Sequence, residues 1–207
     1  MRKPAPFVIT ISRQLGSGGA YVGKQLAKIL NVFYADREII CQAAKQFSVL
    51  EEDLESRDEK ILSFWQSFIQ SFAIAPGVYI PPQIMVPTER ELFETESEII
   101  RRIAKERSAV IIGRCGSYIL REHPHRISIF LHGDITFRKS RIQKLYNISE
   151  KVAEEMIAKS DKERAHYNHT FTGKEWTDAR QYNLSIDTSK IGADQSVEVI
   201  LKYLDLI

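Results

Sequence analysis

Short apolar runs alternate with amphipathic stretches along this chain. Phe7 to Ile11, Ala109 to Ile112 and Ile127 to Leu131 are nearly continuous apolar runs of strand length. Leu184 to Ile186 is a shorter one, and Val32 to Tyr34 another. Such runs suit strands covered on both faces, which are typical of a parallel sheet. Between them the apolar period lengthens to that of a helix. Val22, Leu26, Ile29 and Leu30 form one stripe. Capping signals punctuate the rest: Asp36, Ser48-x-x-Glu51, Thr88-x-x-Glu91, Asp134, Ser149 and Asp194 each stand before an apolar-periodic stretch. Strands separated by helices predict an α/β protein with helices on both faces of a parallel sheet.

The stretch 48–95 departs from this alternation. It holds a long helical pattern through Ile61, Trp65 and Phe72, then a loop with Pro76, Pro81, Pro82 and Pro87. It reads equally as an insertion between strands or as a plain helical cover. Loops of that size in compact domains are usually functional or mobile.

Composition narrows the partners. At 207 residues the chain has room for one large domain, or one domain with an inserted part. Net charge is +2 and no basic run exceeds the pair Arg101-Arg102, so nucleic acid is not an expected partner. No segment has the roughly 18 apolar residues of a membrane span, and the N-terminal apolar run is interrupted at Thr10, too short for a signal peptide. Cys41 and Cys115 stand far apart and read as free thiols. A cytoplasmic protein is the expectation.

The chemistry concentrates just after the first run. Arg13-Gln-Leu-Gly-Ser-Gly-Gly19 joins a buried strand to a helix, the place where backbone N–H groups can be turned toward a phosphate. Two registers compete. Gly18-x-x-x-x-Gly23-Lys24 fits the spacing of a phosphate-binding loop, with Gln25 where a Ser or Thr is usual. That register leaves only about two turns of helix. In the other, the loop is Arg13 to Gly19 and the helix starts near Ala20, which keeps the apolar stripe whole. We prefer it. Gly19 then occupies the lysine position, and Gly16, Ser17, Gly18, Gly19 and Ala20 are the candidate donor-phosphate residues. Arg13 or Lys24 is left to cover the missing charge.

Gly113-Arg114 follows a strand directly. Ligands of parallel sheets bind beyond the carboxyl ends of strands, and an arginine there can fork onto a phosphate. Asp36 and Arg37 open a helix, where the residues alone suggest an N-cap and a surface cation. Arg138 and Arg141 share a helix face, as ion-pairing residues often do. Asp161 and Arg164 are one turn apart and can pair. His166 and His169 have no third partner at metal-ligand spacing, so no protein metal site is expected.

Four segments in order carry a resemblance: Ile9 to Gly19, Phe33 to Ile40, Val110 to Leu120 and Thr172 to Trp176. Together they resemble the cytidylate kinase-like family, a divergent branch of the P-loop nucleoside monophosphate kinases, over about residues 7–204. The resemblance implies a single three-layer α/β/α P-loop domain over 1–207, with a helical acceptor-binding insertion at 48–95 and a lid at 161–180. It implies phosphoryl transfer from ATP, with Mg²⁺, to CMP or dCMP as small-molecule substrate. It gives Arg114 the acceptor phosphate, places Asp36 and Arg37 facing the acceptor or metal, and brings Arg164 over the transferring group. It puts Arg138 and Arg141 on a helix leading to the lid, and Ser185 to Ser189 near the donor base. The usual Lys and Ser/Thr are replaced by Gly19, Ala20 and Tyr21. Two alternatives therefore stay open: a nucleotide-binding or sensing protein without turnover, and a kinase of a non-nucleotide small molecule.

Overall fold

The computed structural model describes residues 5–37, 39–40 and 88–207. The chain divides into two compact units, Met1–Arg37 with Ile100–Ile207, and Glu38–Ile99. The Ser48-x-x-Glu51 signal, the helix through Phe72, the proline-rich loop and Cys41 lie outside the described residues.

The first unit is built on a five-stranded parallel sheet: β1 (Val8–Arg13), β2 (Phe33–Ala35), β3 (Ala109–Ile112), β4 (Arg126–His132) and β5 (Leu184–Asp187), in the order β2-β3-β1-β4-β5. Ile9 pairs with Val110 on one side and Ile127 on the other, so β1 is central. Numbering from the N-terminus, the described helices are α1 (Gly19–Leu30), α2 (Glu89–Glu106), α3 (Gly116–Ile119), α4 (Ile135–Tyr146), α5 (Glu150–Thr172) and α6 (Thr188–Leu204). The chain winds to β2 and β3 on one side of β1, then to β4 and β5 on the other. This reversal opens a crevice beyond the carboxyl ends of the strands, which is where α/β sheets place their ligands.

The period-2 alternation of strands sorts the core. Ile9, Ile11, Val110, Ile112, Ile129 and Leu131 belong to one cluster with Val22 and Leu26 of α1 and Val197 and Ile200 of α6. On α1 the buried stripe runs through Val22, Gly23, Leu26 and Ala27. It is rotated from the stripe predicted above, and Ile29 falls on its flank, 55% exposed. Gly23 lets α1 approach β3: a Cβ there would collide with Ile112.

Several caps behave as expected. Asp134 accepts from the Phe137 amide at 2.7 Å, and Ser149 from that of Val152 at 3.4 Å. In the second unit Thr88 and Glu91 form a reciprocal box, with the Glu91 amide 3.2 Å from Thr88 Oγ1 and the Thr88 amide 2.8 Å from Glu91 Oε2. Asp194 does not open the last helix. Asp187 does, accepting from the Ser189 amide at 3.0 Å, and α6 kinks at Gly192 (φ +79°). Asp194 instead accepts from Tyr21 Oη at 2.5 Å. The start of β4 is fastened to the segment ahead of β5 by buried Ser128, whose Oγ donates to Asn183 Oδ1 at 2.8 Å and accepts from the Asn183 amide at 3.1 Å. Ser128→Ala removes both bonds, but the Asn183 amide keeps the Ser128 carbonyl and Asn183 Oδ1 keeps the Ser128 amide, each at 2.8 Å, so the change is expected to cost about 1 kcal/mol in urea unfolding.

Candidate active site

The loop between β1 and α1 sits at the crevice. Gly16 (φ +87°) and Gly18 (φ +86°) both adopt the left-handed region, which only glycine enters freely. The first helical bond of α1 runs from the Val22 amide to the Gly18 carbonyl at 3.0 Å. The amides of Gly19, Ala20 and Tyr21 therefore precede the helical ladder. Gly18 supplies no side-chain cap, and the first turn has no acidic residue. A helix start of this kind presents N–H groups and a positive dipole end to an anion. The helix begins at Gly19, in the register with the loop ahead of it. Ser17 is buried, and its hydroxyl donates to the Gln14 carbonyl at 2.8 Å, so it tightens the turn from within. Ala20 lies in the first turn of α1. Lys24 is exposed on the second turn, with Nζ 5.8 Å from the centroid of the Tyr34 ring. No hydrogen bond or ion pair among the described residues joins it to the loop.

The back of the loop is clamped by a buried ion pair. Arg138 donates to the Gly133 carbonyl at 2.9 Å, the Leu15 carbonyl at 3.3 Å and Asp161 Oδ2 at 2.6 Å. Asp161 Oδ1 accepts from the Leu15 amide at 2.9 Å. Gln14 Oε1 adds a bond from the Gly133 amide at 3.3 Å. Loop, α4 and α5 thus share one hydrogen-bonded knot. Gly16 has no room for a side chain, because a Cβ would lie 2.9 Å from Arg138 Cβ and carbonyl.

The front of the loop faces cations. Arg164, on α5, donates to the Arg13 carbonyl at 3.2 Å and lies 3.6 Å from Asp161. Burial, reinforced by the like charges of Arg164 and Arg37, pushes Arg13 down to about 10, with Asp36 pulling the other way. Arg13 still carries its proton at neutral pH. Burial also lowers Arg164, opposed by Asp161 and aided by Arg37. A Cβ built on Gly18 would lie 3.6 Å from the Arg141 guanidinium and 3.3 Å from Ala193 Cβ, so α4 and α6 wall the other flank.

Beyond β3 the backbone is strained. Gly113, Arg114 and Cys115 have φ of +73°, +51° and +54° in succession. Left-handed non-glycine residues cost of order 1–3 kcal/mol and persist where the surroundings over-determine them. Here the Arg114 guanidinium lies 4.7 Å from the centroid of the Tyr167 ring, and Asn168 Nδ2 lies 3.8 Å from Cys115 Sγ. Both partners are on α5, which runs unbroken from Glu150 to Thr172. The first part of the expected lid at 161–180 is therefore helix, followed by a turn at Gly173 and a short 3-10 helix over Ala179–Gln181. Asp36 is half-buried and Arg37 exposed at the end of β2.

Of the residues singled out from sequence, Arg13 and Arg164 meet beside the loop glycines, with the charge of Arg37 acting on both. Sequence reasoning missed the clamp of Arg138 on Asp161 and the place of Arg141 against Gly18. These contacts span distant segments and leave no local pattern.

A triphosphate fits these surroundings: uncapped amides, no acid in the first turn and several converging guanidinium groups. For magnesium, the described residues hold no group of three His, Cys, Asp or Glu able to bind it alone. Ala20 brings no hydroxyl, so the first turn of α1 would leave a magnesium ion to phosphate oxygens and water on that side. No helix among the described residues is long and apolar enough to cross a membrane.

Fold and glycine loop together define a P-loop kinase-like phosphotransferase. A family model described as the cytidylate kinase-like family matches residues 8–190, and the chain belongs to that family. Among solved structures it is similar to an uncharacterized protein from Eubacterium ventriosum, at 27% identity over 97% of this chain and 99% of that one, with a TM-score of 0.73. Shikimate kinase from Bacteroides thetaiotaomicron shares the fold at 15% identity, covering 96% and 98% of the two chains, TM-score 0.52. Shikimate kinase from Acinetobacter baumannii, solved with shikimate, does so at 12% identity over 97% and 93%, TM-score 0.50. No curated protein matches the chain.

Proposed function

We propose that this protein transfers the terminal phosphoryl group of ATP to a nucleoside monophosphate, with CMP or dCMP as the preferred acceptor. One observation carries the reading: Arg13 and Arg164 meet beside an uncapped helix start, where burial lowers both and the charge of Arg37 adds to the effect on each. Like charges gathered in a partly desolvated crevice mark a site made for a polyanion. Membership of the family supports cytidine as the acceptor base.

In this reading the amides of Gly18 to Ala20 cradle the donor phosphates. Arg114 holds the acceptor phosphate beyond β3, with Arg37 and Asp36 beside it. An acceptor phosphate oxygen forms the new bond to the γ-phosphorus, the β–γ bridging P–O bond breaks, and ADP leaves. The acceptor is already anionic, so no general base is required. Positioning and charge neutralisation do most of the work in such transfers. Mg²⁺ enters with ATP and offsets phosphate charge.

The test is a coupled assay of ADP formation against CMP, dCMP, UMP, AMP, GMP and a set of phosphorylated metabolites. CMP or dCMP is expected to exceed the other acceptors in kcat/KM by about tenfold or more, the discrimination of one or two well-placed hydrogen bonds. ADP formation no faster with any nucleotide than without one overturns the reading. A second reading rests on Gly19 and Ala20 standing where the family's better-known members have Lys and a hydroxyl residue. Tight ATP binding with no turnover on any acceptor favours that reading, a nucleotide sensor.

A further inference from the structure

Gly19 is glycine for want of space, not for its backbone. It is absent from the residues of positive φ, unlike Gly16 and Gly18. A Cβ built on it would lie 2.5 Å from Arg13 Cγ and 2.8 Å from Arg13 Cβ. The stem of Arg13 therefore lies across the first residue of α1. Its guanidinium continues to Gly113, where an added Cβ would collide with Nη1. Arg13 thus runs from the donor loop to the β3 end, between two residues that must lack side chains. Among the described residues no hydrogen bond or ion pair engages its guanidinium, the charge of Asp36 offsets only part of its burial and of the like charges beside it, and its carbonyl is held by Arg164. A buried-side cation in that state is completed by an anion.

We infer that Arg13 delivers, from the end of β1, the phosphate-facing charge that a P-loop ordinarily takes from a lysine at the position of Gly19. The two side chains exclude each other: a lysine at 19 would leave the helix through the volume that the Arg13 stem fills. The apparent gap in the motif is then a relocation of charge, with Gly19 and Gly113 making its path. The guanidinium also presents a planar fork where lysine offers a point charge. It can bond oxygens of two phosphoryl groups at once. This inference rests on the reading under Proposed function.

The exchange can be reversed. Binding of MgATP is measured by titration calorimetry for wild type, Arg13→Met, Gly19→Lys and the double variant Arg13→Ala/Gly19→Lys, with each variant's melting temperature alongside. Arg13→Met keeps most of the packing stem and is expected to weaken MgATP by about tenfold to a hundredfold, the worth of a charge-assisted fork. Gly19→Lys alone is expected to weaken it as well, because two stems compete for one space. The double variant is expected to regain at least about tenfold over Arg13→Met, since lysine serves other loops of this kind. Arg13→Met binding as tightly as wild type overturns the inference, as does Gly19→Lys folding and binding like wild type. Should Gly19→Lys not fold, Arg13→Met decides alone. A wild type that does not bind MgATP fails the proposed function itself, and this inference with it.

Discussion

Arg164→Ala is expected to lower kcat for phosphoryl transfer by about a thousandfold, in the range known for arginines that neutralise a transferring phosphoryl group. Two of its interactions are accounted for inside the protein, the Arg13 carbonyl at 3.2 Å and Asp161 at 3.6 Å. A guanidinium has five N–H donors, so others remain for a ligand. Burial already makes its charge costly, and the neighbouring Arg37 adds to that cost. An incoming γ-phosphate relieves both effects, most strongly when negative charge spreads over its oxygens. The loss should therefore fall on kcat, with the KM for ATP changing much less. Arg164→Lys should recover little, because an ammonium cannot reproduce the fork. Steady-state kinetics of the three proteins check this. An equal loss in ATP affinity and none in kcat would make Arg164 a ground-state binding residue.

Arg138→Ala is expected to destabilise the protein by about 3 kcal/mol, the lower end of the cost of breaking a buried ion pair. The lower end is appropriate because the Asp161 side chain keeps 18% exposure and so some water. The change orphans the Leu15 and Gly133 carbonyls as well. For a chain of this size the midpoint should fall on the order of 10 °C. ATP affinity should fall with it, since the knot also holds the glycine loop. Removing both charges with Arg138→Met/Asp161→Leu should cost clearly less than the sum of the single changes. Thermal melts of all variants check the cycle, and strict additivity would show that the two side chains do not stabilise through each other.

These two arginines show how far the sequence can be read. The strands announced themselves as apolar runs, and the β3 run Ala109 to Ile112 is the strand to the residue. The parallel sheet followed from helices between strands. The register with the loop ahead of α1 followed from keeping an apolar stripe whole; the expected start near Ala20 falls one residue after the observed Gly19, although Ile29 of that stripe lies exposed. Arg164 was legible because its partner Asp161 is one turn away on the same helix. Arg138 was not, because its partner lies 23 residues on and its role appears only when α4 and α5 both reach the loop. Arg13 was legible as a nearby cation, but its path between Gly19 and Gly113 depends on β1 and β3 being neighbours. Asp194 misled because capping chemistry is local, while its bond to Tyr21 joins two helices far apart in sequence.

The most direct measurement is a crystal structure with a non-hydrolysable ATP analogue. The account predicts the β- and γ-phosphates against the amides of Gly18 to Ala20, with the guanidinium groups of Arg13 and Arg164 within hydrogen-bond distance. An analogue bound elsewhere, with that loop unliganded or its amides turned away from the phosphates, would contradict it.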